Sequence, residues 1–308
     1  MRNRMSRIKL VLLLSACFII SAGTLMAQSE KLVVFVSILP QKYFAEKLLG
    51  SNGEINVLID AGQSPHTYEP LPQQMGKLSR ADIFFTVGVP FETALKSKIC
   101  SLCPDLKIYD TDANIEKRIM LEEHYHEEGG HYEEKGHNSE EHHHGVGEKD
   151  PHFWLDPLKA SQMAENMAKA IVCVRPELKD SVSNNLENIK TDMNALVDSL
   201  SAVLAGYKGK TMLVFHPAFG YFADRFGLIQ KSVEIEGKEP TPKQLSNLIK
   251  DCNSQGVKTI FVQKQFPASI AKTIADSIGG KVVAIDPLAE NYIENLKSMA
   301  GSIAGTSN

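Results

Sequence analysis

"RPELKDSVSNNLENIKTDMNALVDSLSAVLAGYKG", residues 175–209, decides how the rest of the chain is read. Leu178, Val182, Leu186, Ile189, Met193, Leu196 and Leu200 recur at three- and four-residue steps, and no Pro or Gly interrupts them before Gly206. That spacing predicts one long amphipathic helix. Some thirty residues at 1.5 Å per residue span about 45 Å, the height of two lobes rather than one. A single helix is a stiff connector, so lobes joined by it are expected to move only slightly against each other.

On both sides of this helix, apolar strand runs alternate with helical patterns, which implies parallel sheets. Before it come "KLVVFVSILP", "INVLID", "DIFFTVG" and "LKIYD", separated by "QKYFAEKLLG", "PQQMGKLSRA" and "FETALKSKI". After it, "KTMLVFH", "IQKSVEI", "VKTIFVQ" and "KVVAID" repeat the plan, with "TPKQLSNLIKDCNSQG" offering a Thr cap and a Gly stop. The expected fold is α/β: two parallel-sheet lobes with helices on both faces, joined by one long helix. The expected divisions are an export signal over 1–27, a first lobe over 28–174, the connector over 175–206 and a second lobe over 207–308.

The chain has 308 residues, 43% of them hydrophobic and 23% charged, as in an ordinary globular protein. Its formal charge of −4, with no basic stripe, argues against a nucleic-acid surface. The start of the chain has a basic segment, the apolar run "LVLLLSACFIISAG" and a small-residue cleavage site after Ala27, the pattern of an exported protein. "LSAC" also offers Cys17 as a lipidation site, but the residues after it stay apolar, which favours simple cleavage. Of the remaining cysteines, Cys100 and Cys103 form a structural pair, oxidised or free, while Cys173 and Cys252 fall in helical patterns and are expected to be buried.

Histidine carries the chemistry. Of ten in the chain, seven lie in "HYHEEGGHYEEKGHNSEEHHH", residues 124–144, within an acidic loop over 122–149. These are His124, His126, His131, His137, His142, His143 and His144. The loop has too little apolar surface to fold by burial, which leaves two readings: a solvated insertion without a role, or a low-affinity metal collector. The other three stand in tight contexts: His66 in "SPHTYEP", His152 in "DPHFWLDP" and His216 in "VFHPAFGYF". Asp286, in "AIDPLAENY", joins them.

In open parallel sheets, ligands bind beyond the carboxyl ends of the strands, so these four side chains are expected to face one inter-lobe cleft. Three neutral imidazoles and one carboxylate suit tetrahedral Zn2+; manganese would more readily take a second carboxylate. Asp150, Asp156 and Glu69, the acids nearest in sequence, are candidates to orient the rings.

"SPHTYEP", "DPHFWLDP" and "FHPAFGYF", in this order, resemble the metal-binding substrate-binding proteins of bacterial ABC importers, the zinc-uptake branch in particular, over residues 30–305. The resemblance implies a metal held by His66, His152, His216 and Asp286 between lobes joined by one long helix. In this branch His216 replaces the Glu typical of manganese-type members, and a histidine- and acid-rich loop is common. Some zinc-type members carry Glu just before the first His, where this chain has Pro65. The expected function is therefore a monomeric, exported zinc receptor. It would deliver Zn2+ to an ABC permease and, through that, to its ATPase subunit. The alternatives are a manganese or iron receptor of the same family, or a zinc hydrolase with Asp286 as base. No H-E-x-x-H or Ser-His-Asp context supports the hydrolase. Because imidazoles must be deprotonated to bind metal, affinity is expected to fall below neutral pH.

Overall fold

The structure, a computed structural model, describes residues 30–120, 149–234, 238–266 and 268–305. The export signal, Cys17 and the seven loop histidines lie outside the described residues. Among those described, no helix is long and apolar enough to cross a membrane.

Two four-stranded sheets carry the fold. The first has the order β2-β1-β3-β4 and comprises β1 (Leu32–Val36), β2 (Gly53–Val57), β3 (Ile83–Thr86) and β4 (Lys107–Asp110). The second repeats it as β6-β5-β7-β8, with β5 (Thr211–Val214), β6 (Ile229–Ser232), β7 (Thr259–Gln263) and β8 (Lys281–Ile285). Every pairing within both sheets is parallel. β1, β3 and β7 are apolar and buried along nearly their whole length, as strands covered on both faces must be. Helices α1 (Leu39–Leu49), α2 (Pro72–Leu78) and α3 (Pro90–Leu102) connect the first sheet. Helices α6 (Gly220–Phe226), α7 (Pro242–Ser254) and α8 (Ala268–Ser277) connect the second. Thr241 caps α7 as its sequence suggested, with Gln244 returning the bond in a capping box.

Between the sheets run α4 (Pro157–Val174) and the connector α5 (Lys179–Leu204), and α9 (Tyr292–Ala304) ends the chain. The connector has 26 α-helical residues between single 3-10 turns at Pro176–Leu178 and Ala205–Tyr207, which gives an α-helical length of about 39 Å. Its stripe of Val182, Ile189, Met193, Leu196, Leu200 and Leu204 is buried.

That stripe belongs to one apolar core running from the first sheet through α4 and α5 to Met212, Phe219, Phe222 and Leu296. A smaller cluster, including Leu213, Phe215, Leu248 and Ile274, covers the other side of the second sheet. The lobes thus share a core rather than merely touching. α9 reinforces this by placing the Tyr292 ring against Phe44 and Tyr43 of α1, with centroids 4.9 and 5.8 Å away.

The cysteines depart in part from expectation. Cys252 is fully buried and Cys103 is a buried free thiol, but Cys173 is exposed. The buried face of α4 runs through Ala160, Ala164, Met167 and Ile171, and position 173 turns away from it.

Candidate metal centre

The loop after β2 brings in the first histidine. Tyr68 donates to Gln74 Oε1 (2.9 Å), and Gln74 Nε2 donates to the carbonyl of Leu58 (2.9 Å), which tethers the loop on both sides of His66. His152 stands on a 3-10 turn, Phe153–Leu155, in which all three residues are buried. His216 stands two residues past the end of β5, and Gln263 at the end of β7 clamps its backbone by accepting from its N–H (3.3 Å) and donating to its carbonyl (2.6 Å).

These three elements converge. One donor nitrogen from each of His66, His152 and His216 lies within 4.8 Å of the others. Ring centroids are 4.7 Å apart for His66 and His216, 5.3 Å for His152 and His216, and 6.1 Å for His66 and His152. A tetrahedral zinc ion with bonds of about 2.0–2.1 Å needs its donors about 3.3–3.4 Å apart, so a contraction of at most about 1.5 Å would suffice. The cavity they line has a volume of about 20 Å³. That is room for one water-sized particle, which suits an ion.

Carboxylates fix which nitrogen two of the rings present. Asp150 Oδ1 takes both the backbone N–H (2.9 Å) and Nδ1 (2.8 Å) of His152. Glu234 Oε2 takes Nδ1 of His216 (2.5 Å). In each case Nε2 is left for the cavity, and His216 Nε2 is buried with no hydrogen-bond partner among the described residues. A carboxylate on the far nitrogen sets the tautomer and raises ligand basicity.

Burial, acting against the Glu234 hydrogen bond, nevertheless holds His216 below the usual imidazole pKa. His66 has an exposed flank, but its ring faces the crevice. Loss of water, then the nearby His216 and His152 rings, push its pKa down to about 3.

Asp286 is placed at the rim. Its Oδ1 accepts from Leu288 N (2.9 Å), and its Oδ2 lies 3.5 Å from Lys264 Nζ. It stands outside the three-histidine group, although the next residues, Pro287 and Leu288, line the cavity. Of the three acids expected to orient the rings, Asp150 does so. Asp156 instead caps α4 through Leu158 N (3.0 Å) and takes a two-pronged bond from Arg225 (2.9 and 2.7 Å), while Glu69 is exposed. Glu234 performs the role that proximity in sequence had suggested for those two.

Removing either orienting carboxylate frees a ring without deleting a ligand. Asp150→Asn and Glu234→Gln are each expected to weaken zinc binding about 10–100-fold, read by competition with a chelator. Unchanged affinity in both would mean that the rings do not hold metal through Nε2.

Two similar lobes on a shared helix, with an ion-sized histidine cavity among strand ends, define a two-lobed binding protein for a small cation. A family model described as "Zinc-uptake complex component A periplasmic" matches residues 34–306, and the chain belongs to that family. It is 29% identical over 287 residues to the high-affinity zinc uptake system protein ZnuA of Bacillus subtilis, covering 89% of this chain and 86% of that protein. It is 27% identical over 267 residues to the zinc-binding protein AdcA of Streptococcus pyogenes, covering 84% of this chain. The chain spans only 50% of the length of that AdcA. Among solved structures, a ZnuA deletion mutant with zinc bound superposes with a TM-score of 0.80 at 30% identity, covering 91% of this chain and 99% of that one.

Proposed function

We propose that this protein is a high-affinity receptor that captures Zn2+ outside the cytoplasmic membrane and hands it to an ABC permease powered by a separate ATPase subunit. The observation that carries the reading is the convergence of His66, His152 and His216, two of them held by carboxylates with Nε2 turned to one ion-sized cavity. Three imidazoles favour zinc over manganese. Asp286 is the fourth ligand in this reading, reaching the ion by leaving Lys264, whose side chain is mostly exposed and readily displaced. With four protein ligands the site is closed, as in a binding site rather than a hydrolase.

The test is calorimetric titration of the metal-free protein with zinc and with manganese, beside a form lacking residues 122–148. One tight zinc equivalent surviving the deletion is expected, with weak manganese binding; extra, weaker zinc equivalents should disappear with the loop. Preference for manganese, or loss of the tight equivalent with the loop, would overturn the assignment.

The lowered pKa values refine the pH dependence expected from sequence. At pH 5.5, protons would weaken binding about tenfold at each ordinary imidazole, or about 1,000-fold for three. A ligand whose pKa lies below its ordinary value meets that competition only at lower pH. His66, at about 3, and His216, held below the usual range, therefore contribute less to the decline. Zinc affinity measured at pH 7.5 and 5.5 should fall by well under 100-fold. A full 1,000-fold fall would contradict the sequestered rings.

A further inference from the structure

The turn after β7 sends three consecutive side chains to the metal centre. Lys264 reaches Asp286 across 3.5 Å. Phe266 stacks on the His216 ring, with centroids 5.3 Å apart and planes 20° apart. Between them, Gln265 lines the same cavity as the three histidines. Its amide oxygen and nitrogen are both buried, and neither has a hydrogen-bond partner among the described residues.

A buried amide left without partners is costly, and native structures rarely tolerate one without a use for it. Among the residues lining that cavity, His216 Nε2 is in the same condition, and the proposed function explains it as a metal ligand. The two orphaned groups share one cavity, and a shared cause is the economical account.

We propose that Gln265 contacts the cargo's coordination sphere, its amide hydrogen-bonding the oxygen atom that fills the fourth position of a metal ion held by His66, His152 and His216. This deepens the zinc-receptor reading and rests on it. An amide suits the task because its NH2 donates and its carbonyl accepts. It can serve a carboxylate oxygen of Asp286, which only accepts, or a metal-bound water, which mainly donates. In either case the bond forms only when the site is loaded, so it strengthens retention of the ion without stabilising the metal-free state. It also favours an oxygen at the fourth position over sulfur or an open coordination site, making Gln265 a specificity residue.

The test uses Gln265→Leu and Gln265→Met, which keep comparable bulk and remove the hydrogen-bonding atoms. Zinc affinity is measured by chelator competition, and coordination is followed by the visible spectrum of the cobalt(II)-loaded protein. Zinc binding should weaken about tenfold or more, with a shifted cobalt spectrum, while the metal-free protein unfolds at an unchanged or higher temperature. Repeating Gln265→Leu in an Asp286→Ala background separates the two oxygen sources. A loss that vanishes there assigns the oxygen to Asp286; a loss that persists assigns it to water. Affinity within twofold of the parent, with an unaltered cobalt spectrum in both variants, overturns the proposal. If the parent itself lacks a tight zinc site, or His216→Ala retains it, the zinc-receptor reading fails instead.

Discussion

Replacing His216 by alanine is expected to weaken zinc binding on the order of a thousandfold, beyond the 10–100-fold that removing an outer carboxylate costs. Everything around this residue is arranged to spend its ring on the cavity. The backbone is clamped from both sides by Gln263, Nδ1 is taken by Glu234, and one face is covered by Phe266. That leaves Nε2 buried and unpaired. In the proposed site, deleting the ring removes one of at most four ligands and leaves the Glu234 carboxylate without its partner. Chelator competition measures the loss, and the matched control is His143→Ala on the acidic loop, where no change in the tight site is expected. Tight binding retained in His216→Ala would place the site elsewhere.

The clustering of the three histidines was legible because each stands in a distinctive local context. Proline brackets His66 and His152, while His66 and His216 come after the strand runs of β2 and β5. The connector was legible because its apolar stripe runs unbroken, and it is buried residue for residue except at the half-buried Leu186. Glu234 was missed for a physical reason: sequence proximity is a poor guide to what a parallel sheet brings together. The β5–β6 register pairs Val214 with Ser232, so the residues two further along, His216 and Glu234, come side by side. A reading that had paired the two strands could have found it, since an acid just beyond a strand end is a visible signal. Gln263 was missed similarly, being a polar residue at the end of a strand run whose neighbour in space is β5. Cys173 shows the opposite error, where helical context suggested burial but phase on the helix decided otherwise.

Trp154→Ala is expected to cost about 3–5 kcal/mol of stability, the range for deleting a buried aromatic, and to loosen the metal centre as well. The indole is fully buried and joins parts far apart in the chain. Its Nε1 donates to the carbonyl of Pro287 (2.8 Å), while its own carbonyl accepts from the Tyr292 hydroxyl (2.6 Å). The ring lies 5.3 Å from that of His152 and lines the same cavity. The side chain thus ties the turn bearing His152 to the segment following β8. Trp154→Phe retains much of the apolar bulk but strands the Pro287 carbonyl, so a smaller loss, about 1–3 kcal/mol, is expected. Urea unfolding followed by circular dichroism is the appropriate measurement, since this is the only tryptophan in the chain. The parent should unfold in a single transition, because the core is continuous through α4 and α5. If it instead unfolds as two separated lobes, or if Trp154→Ala is as stable as the parent, the shared core is not what holds the histidines in register.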